Sequence, residues 1–176
     1  MLCILEILLA LALLGALAVY LYIVFQGDAV MELESAKRTA AAVTAQKDGR
    51  LYFTVTLPYK NAGRQEGTIL DAYMRIYLPQ EQYDDVLLRG RVNLEGALRR
   101  DDYFEALLVP AGTGGNLVLR FEAYARNGRT IAEALGGAPD VDVAVFADCR
   151  GRRELYTVKK IFTLTAAELH ALPVQK

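Results

Sequence analysis

Between Ile7 and Phe25 the chain has no charged side chain, and the only one before that stretch is Glu6. A run that stays apolar on every face for so long fits the hydrocarbon core of a bilayer, which takes about 20 residues of helix. Leu and Ala dominate it; both favour helix, and a helix satisfies its own backbone in lipid. Tyr20 and Tyr22 lie near its far end, where amphipathic rings settle among headgroups. Residues 1–26 are therefore expected to be a transmembrane anchor in contact with membrane lipid, and a helix through which copies of the chain could pack. A cleaved secretory signal would have a basic start and a shorter apolar core. Ala16-Leu17-Ala18 could serve as its cleavage site, but no Lys or Arg precedes the core and apolar residues run past it. A single-pass, uncleaved anchor is expected.

The charges that set orientation are few. Asp28, Glu32 and Glu34 follow the span, then Lys37 and Arg38. Those two basic residues weakly favour a cytoplasmic domain, whereas the β-rich character of the rest favours the extracytoplasmic side at the cell envelope. The expectation leans outside.

Residues 27–176 amount to one domain of ordinary size. A formal net charge of −1 advertises no nucleic-acid partner. Of the two cysteines, Cys3 falls in the anchor and Cys149 in the soluble part, so no intrachain disulfide framework is expected. Cys149 reads as a small buried strand residue.

Along the chain, Val30, Leu33, Lys37, Ala40 and Val43 recur every three or four residues. That spacing predicts a helical stalk over 27–47, with a first strand from Arg38 to Ala45 as the competing reading. From Asp48 the pattern changes to alternation, with Leu51, Phe53, Val55, Leu57 and Tyr59 on one face. Further strands are predicted over 68–78, 86–94, 103–109, 117–125, 140–149 and 155–164. The segment 130–135 reads as one helical turn, and Gly112-Thr113-Gly114-Gly115 as a hairpin turn. Thr165 and Glu168 have the spacing of a capping box, which opens a short C-terminal helix within 165–176. Seven strands with turns every eight to twelve residues point to an antiparallel β-sandwich over 48–164. The expected fold is thus mainly β: a transmembrane helix, a helical stalk, an immunoglobulin-like sandwich and a short C-terminal helix.

The run from Phe53 to Asn61-Ala62-Gly63, then Leu108-Val109-Pro110-Ala111-Gly112 entering Asn116 to Phe121, resembles immunoglobulin-like modules of bacterial surface proteins, the CARDB-like and LEA14-like families. The resemblance implies a domain that binds or spaces rather than catalyses. The start, from Cys3 through Glu6 to Gly15, resembles a type IV pilin helix, although Met1 stands where a leader glycine would be. That resemblance implies a helix that continues into a stalk and packs in a filament.

Catalytic chemistry is hard to assemble from this chain. Ser35 and His170 are the only residues of their types and lie in separate terminal segments. A nucleophile needs an oriented base beside it, and zinc needs several His or Cys ligands. No cofactor and no metal are expected. Asp84-Asp85 and Asp101-Asp102 lack the spacing of a calcium loop, and Asp71 and Asp148 would matter only if they shared a cleft. The candidate contact residues are Arg150, Arg152 and Arg153 in a hairpin turn with Lys159 and Lys160 on the next strand. They would meet an anionic headgroup layer or an acidic partner, or simply protect an edge strand. Tyr73, Tyr77, Tyr83, Tyr103 and Tyr124 would supply an aromatic face. The expected function is a non-enzymatic binding or assembly module holding a partner protein near the membrane. The alternatives are a pilin-like filament or secretion-system subunit, and a carboxylate-based enzyme acting on envelope polymers.

Overall fold

The computed structural model describes residues 2–97 and 103–172; the Asp101-Asp102 pair and the last four residues lie outside that range. Helix α1, Leu2–Phe25, comes first. Its stretch Ile4–Phe25 is long and apolar enough to cross a membrane, and none of it is buried against the rest of the chain. At 22 residues it spans about 33 Å, matching a hydrocarbon core of about 30 Å. Gly27 ends it with a positive φ of 69°, the left-handed conformation glycine provides after a last turn.

The helical stalk expected over 27–47 does not form. The segment instead holds strand β1, Met31–Leu33, a 3-10 turn at Ser35–Lys37, and strand β2, Ala42–Lys47. Met31 and Leu33 bury by period-two alternation with Glu32 outward, a strand that neither reading placed there, while the strand expected as the competing reading over Arg38 to Ala45 is met only in part, by β2 from Ala42. Strand β3, Arg50–Asn61, pairs with both β1 and β2. The β2–β3 hairpin turns on Asp48 and Gly49, whose φ values of 53° and 73° suit the primed turns that match strand twist. The sandwich therefore begins just after α1 rather than at residue 48.

The remaining strands are β4 (Gly67–Tyr77), β5 (Val86–Leu94), β6 (Leu107–Val109), β7 (Gly114–Ala125), β8 (Val141–Arg150) and β9 (Leu155–Leu164). Sheet A has the order β1-β3-β7-β5 with β2 also on β3; sheet B has the order β6-β4-β8-β9. Every pairing is antiparallel. The predicted strand over 103–109 is confined to its last three residues. Gly112 to Gly115 is not a hairpin, because β6 pairs with β4 and β7 with β3 and β5; the chain crosses there from one sheet to the other.

The alternating residues Leu51, Phe53, Val55, Leu57 and Tyr59 face the core, as do Leu117, Leu119, Phe121 and Ala123. Phe53 and Phe121 stack with ring centroids 4.8 Å apart. Sheet B contributes Ile69, Val143, Val145, Ala147 and Cys149 from its inner face. Cys149 is fully buried, and burial pushes its thiol up to about 11. Helix α2, Ile131–Gly136, and helix α3, Ala166–Ala171, both open with Thr–Glu capping boxes, at Thr130 and Thr165. They close the end of the sandwich opposite the one that α1 leads into. Arg38, in the connection between β1 and β2, ties that connection to this region: it donates to Glu168 at 2.9 and 2.8 Å and to the Thr163 carbonyl, and lies over the Phe162 ring.

Candidate functional site

Residues 28–31, which lead from α1 into the sandwich, are held by the backbone and side chains of three separate segments. Asn61, fully buried at the end of β3, accepts from the Val30 amide at 3.1 Å and from the Gly63 amide. Its side-chain NH2 donates to the carbonyls of Gln65 and Val109. The Ala62 amide donates to Val30 O and the Arg64 amide to Asp28 O. From β9, the Tyr156 hydroxyl accepts from the Met31 amide at 3.0 Å and donates to Ala29 O.

Glycines make this close approach feasible. A Cβ on Gly63 would fall 2.3 Å from Asp28 O, one on Gly67 2.5 Å from the Ala29 Cβ, and one on Gly151 2.3 Å from an Asp28 carboxylate oxygen. The Asn61-x-Gly63 motif is thus the wall of a slot for the segment that leaves α1. Asp28 fills the far side: its carboxylate accepts from the Arg152 amide at 2.6 Å and from the Ala29 and Arg153 amides. The Arg152 amide, ahead of the other two, holds the Asp28 carboxyl below its usual range, against a smaller opposing effect of burial. Arg152 also donates through its guanidinium to Gln26, and Gln65 donates to the Gln26 carbonyl.

Among the five predicted contact residues, then, Arg152 and Arg153 stand at the junction with α1, through their amides as much as their charges. Arg150 is adjacent, exposed at the end of β8 opposite Leu155. The two lysines are not part of the same patch. Lys159 pairs with Phe146 and lies over its ring at 5.5 Å on the outer face of sheet B, while Lys160 points to the other side of β9. They sit about 15 Å or more along the strand from the turn.

The tyrosines also scatter. Tyr73 stacks on Phe146 on the outer face of sheet B, Tyr83 donates to the Ala134 carbonyl beside α2, and Tyr124 is on the outer face of sheet A. Asp71 and Asp148 do stand opposite one another in register, with Thr157 donating to Asp148 at 2.6 Å. They share an open sheet face; the groove that Asp71 lines is not lined by Asp148.

The outer face of sheet A holds a feature that no spacing in the sequence announced. An open groove of about 430 Å³ is lined by Arg50, Arg89, Arg91 and Arg120 together with Tyr52, Tyr124 and Glu122. Each arginine is legible as the outward member of an alternating strand. Their meeting depends on register, which places Arg89 opposite Glu122 and Arg91 opposite Arg120. Glu122 accepts from Arg50 at 3.0 Å and from the Tyr52 hydroxyl at 2.9 Å. Partial burial works against its charge, but hydrogen bonds from Tyr124, Tyr52 and Arg50 outweigh it and hold the carboxyl below its ordinary value. The guanidiniums of Arg50 and Arg89 lie 4.4 and 5.5 Å from the Tyr124 ring centroid.

No protein-family model and no curated protein matches the chain. Among solved structures it is similar to a protein from Archaeoglobus fulgidus, at 10% identity and a TM-score of 0.43, over 76% of this chain and 94% of that one. It is also similar to the GAE domain of GGA2p from Saccharomyces cerevisiae, at 9% identity and a TM-score of 0.33, over 72% of this chain and 99% of that one. These neighbours are all-β domains, and at this distance they carry no argument about activity or partners. The chain is a two-sheet antiparallel β-sandwich behind an apolar N-terminal helix.

Proposed function

We propose that the chain is a membrane-anchored, non-enzymatic binding module that holds a partner protein at a fixed distance from the bilayer, on the extracytoplasmic side. The observation that carries this reading is the slot around residues 28–31. An anchor on a loose linker would need none of it; here the exit segment is hydrogen-bonded on both sides and packed against three glycines. The base of the sandwich, with Arg64, Arg150, Arg152 and Arg153, then faces the headgroup layer, where guanidiniums can pair with lipid phosphates.

An immunoglobulin-like relationship of the CARDB or LEA14 kind fits the same reading through the role of Asn61 and Gly63, which shape the slot. A pilin-like filament would also cover the apolar faces of α1. Its continuous helical stem is what the ending of α1 at Phe25 takes away.

The test is photocrosslinking in intact cells, with a photoreactive residue at Thr54 on the outer face of sheet A. A discrete protein adduct that stays with the membrane through an alkaline wash is the expected result. Release of the chain by that wash contradicts the anchor, and absence of any discrete adduct contradicts the binding role.

A further inference from the structure

We propose that the guanidiniums of Arg64 and Arg152 form a paired site for the phosphate of an anionic lipid, set where α1 leaves the hydrocarbon. This rests on the reading of α1 as a membrane anchor, and names the lipid chemistry that the base of the sandwich recognises.

The two arginines come from turns far apart in sequence, between β3 and β4 and between β8 and β9, yet both reach the last turn of α1. Arg64 donates through its guanidinium to the Phe25 carbonyl at 3.4 Å. Its stem runs past Gly27, where an added Cβ would meet it at 3.5 Å. Arg152 donates to the side-chain oxygen of Gln26 at 2.6 Å. The amide nitrogen of that same side chain donates to the Tyr22 hydroxyl at 3.0 Å, and Gln65 donates to the Gln26 carbonyl at 3.2 Å. Both guanidiniums are thereby held at one level of the helix.

That level is the edge of the hydrocarbon. The 22 residues of Ile4–Phe25 span about 33 Å against a core of about 30 Å, so Phe25 and Gln26 stand at its boundary when the stretch fills it. Tyr22, a turn earlier, is of the type that settles at this boundary. A cation beside the last carbonyls of a helix also offsets its dipole, which accounts for one N–H of Arg64. A guanidinium has five N–H donors; Arg64 and Arg152 each spend one on α1, and both side chains are exposed. The donors that remain suit the planar, bidentate contact that guanidiniums make with phosphate.

The local charge favours an anion. Among the described residues 26–30, 61–66 and 150–155 there are four arginines and three carboxylates, Asp28, Glu66 and Glu154. Asp28 is seated on three backbone amides, so it is spoken for. A zwitterionic lipid brings its own ammonium, which competes with the arginines for its phosphate; an anionic lipid brings none. An acidic protein segment would have to displace the lipids around the end of α1 to reach the same donors.

The experiment uses the full chain, with arginine side chains labelled with nitrogen-15, in bicelles of phosphatidylcholine titrated with phosphatidylglycerol. The Nε–H resonances of Arg64 and Arg152 should shift and saturate, and the shift should weaken as salt is raised. Arg75, whose guanidinium lies over the Phe146 ring on the outer face of sheet B, should not shift. Phosphatidylglycerol retained by the purified chain, counted by native mass spectrometry, gives a second readout. Arg64→Gln with Arg152→Gln should lower its affinity about tenfold or more. The corresponding double lysine variant keeps the charge, loses the bidentate contact and should fall between. Equal shifts at Arg64, Arg152 and Arg75, or equal retention by wild type and the double glutamine variant, overturn the site. The same saturating shifts from inorganic phosphate without phosphatidylglycerol overturn the lipid as its source. Failure of the chain to enter pure phosphatidylcholine bicelles overturns the anchor itself, and is seen before any anionic lipid is added.

Discussion

Asn61 shows how much one buried polar side chain can organise. Both hydrogens and the oxygen of its amide are used, on Gln65, Val109, Val30 and Gly63, which belong to separate pieces of the chain. A buried donor or acceptor left unpaired costs about 1–3 kcal/mol, and an alanine at this position would orphan the Val109 carbonyl and the Val30 amide together. Asn61→Ala should therefore lower unfolding stability by about 2–4 kcal/mol, read from urea unfolding of the full chain in detergent. A loss below about 0.5 kcal/mol, the range of an ordinary surface change, would show that Asn61 does not organise the slot. The sequence shows Asn61-Ala62-Gly63 as a turn signal, which it is. Its second role stays hidden because the segment it binds lies 31 residues earlier and reads there as helix.

At the scale of elements, legibility followed the strength of the local pattern. Strand β3 alternates over its whole length and its inward residues are the buried ones. The Thr165–Glu168 capping box opens α3 as its spacing requires. The segment 27–47 misled because its apolar residues fit a period of three to four as well as a period of two. The Asp48-Gly49 pair, a hairpin signal, decides in favour of strand. The arginine groove could not be read at all: alternation tells which residues face outward, but pairing register decides which of them meet.

The same scale yields a pH prediction for the turn between β8 and β9. Asp28 has a folded pKa below its unfolded value, so the stability it adds is complete above the ordinary aspartate range and is lost as pH falls through the lowered value. The Arg152 and Arg153 amide resonances of the full chain in micelles should shift with a midpoint below the ordinary aspartate value of 3.8, and Asp28→Asn should abolish that titration. A midpoint at or above that value would mean the carboxylate is not seated in the turn.

For the whole molecule, the arrangement has a direction. An uncovered apolar helix enters one end, two short capped helices close the other, and an arginine-lined face stands between them on sheet A. A large apolar surface left bare by its own chain needs lipid or another helix to cover it. With lipid as the cover, the slot at residues 28–31 converts the anchor into a fixed mount and raises the groove clear of the headgroups. The central claim is that fixed orientation. It is tested most directly by paramagnetic relaxation from spin-labelled headgroups in nanodiscs, read at the amides of Arg64 and Arg153 at the base and of Asp48 and Asn127 at the far end. Strong broadening at the base with none at the far end is the expected result. Equal broadening at both ends, or the reverse order, would mean that the sandwich tumbles on its anchor and that the slot does not hold it.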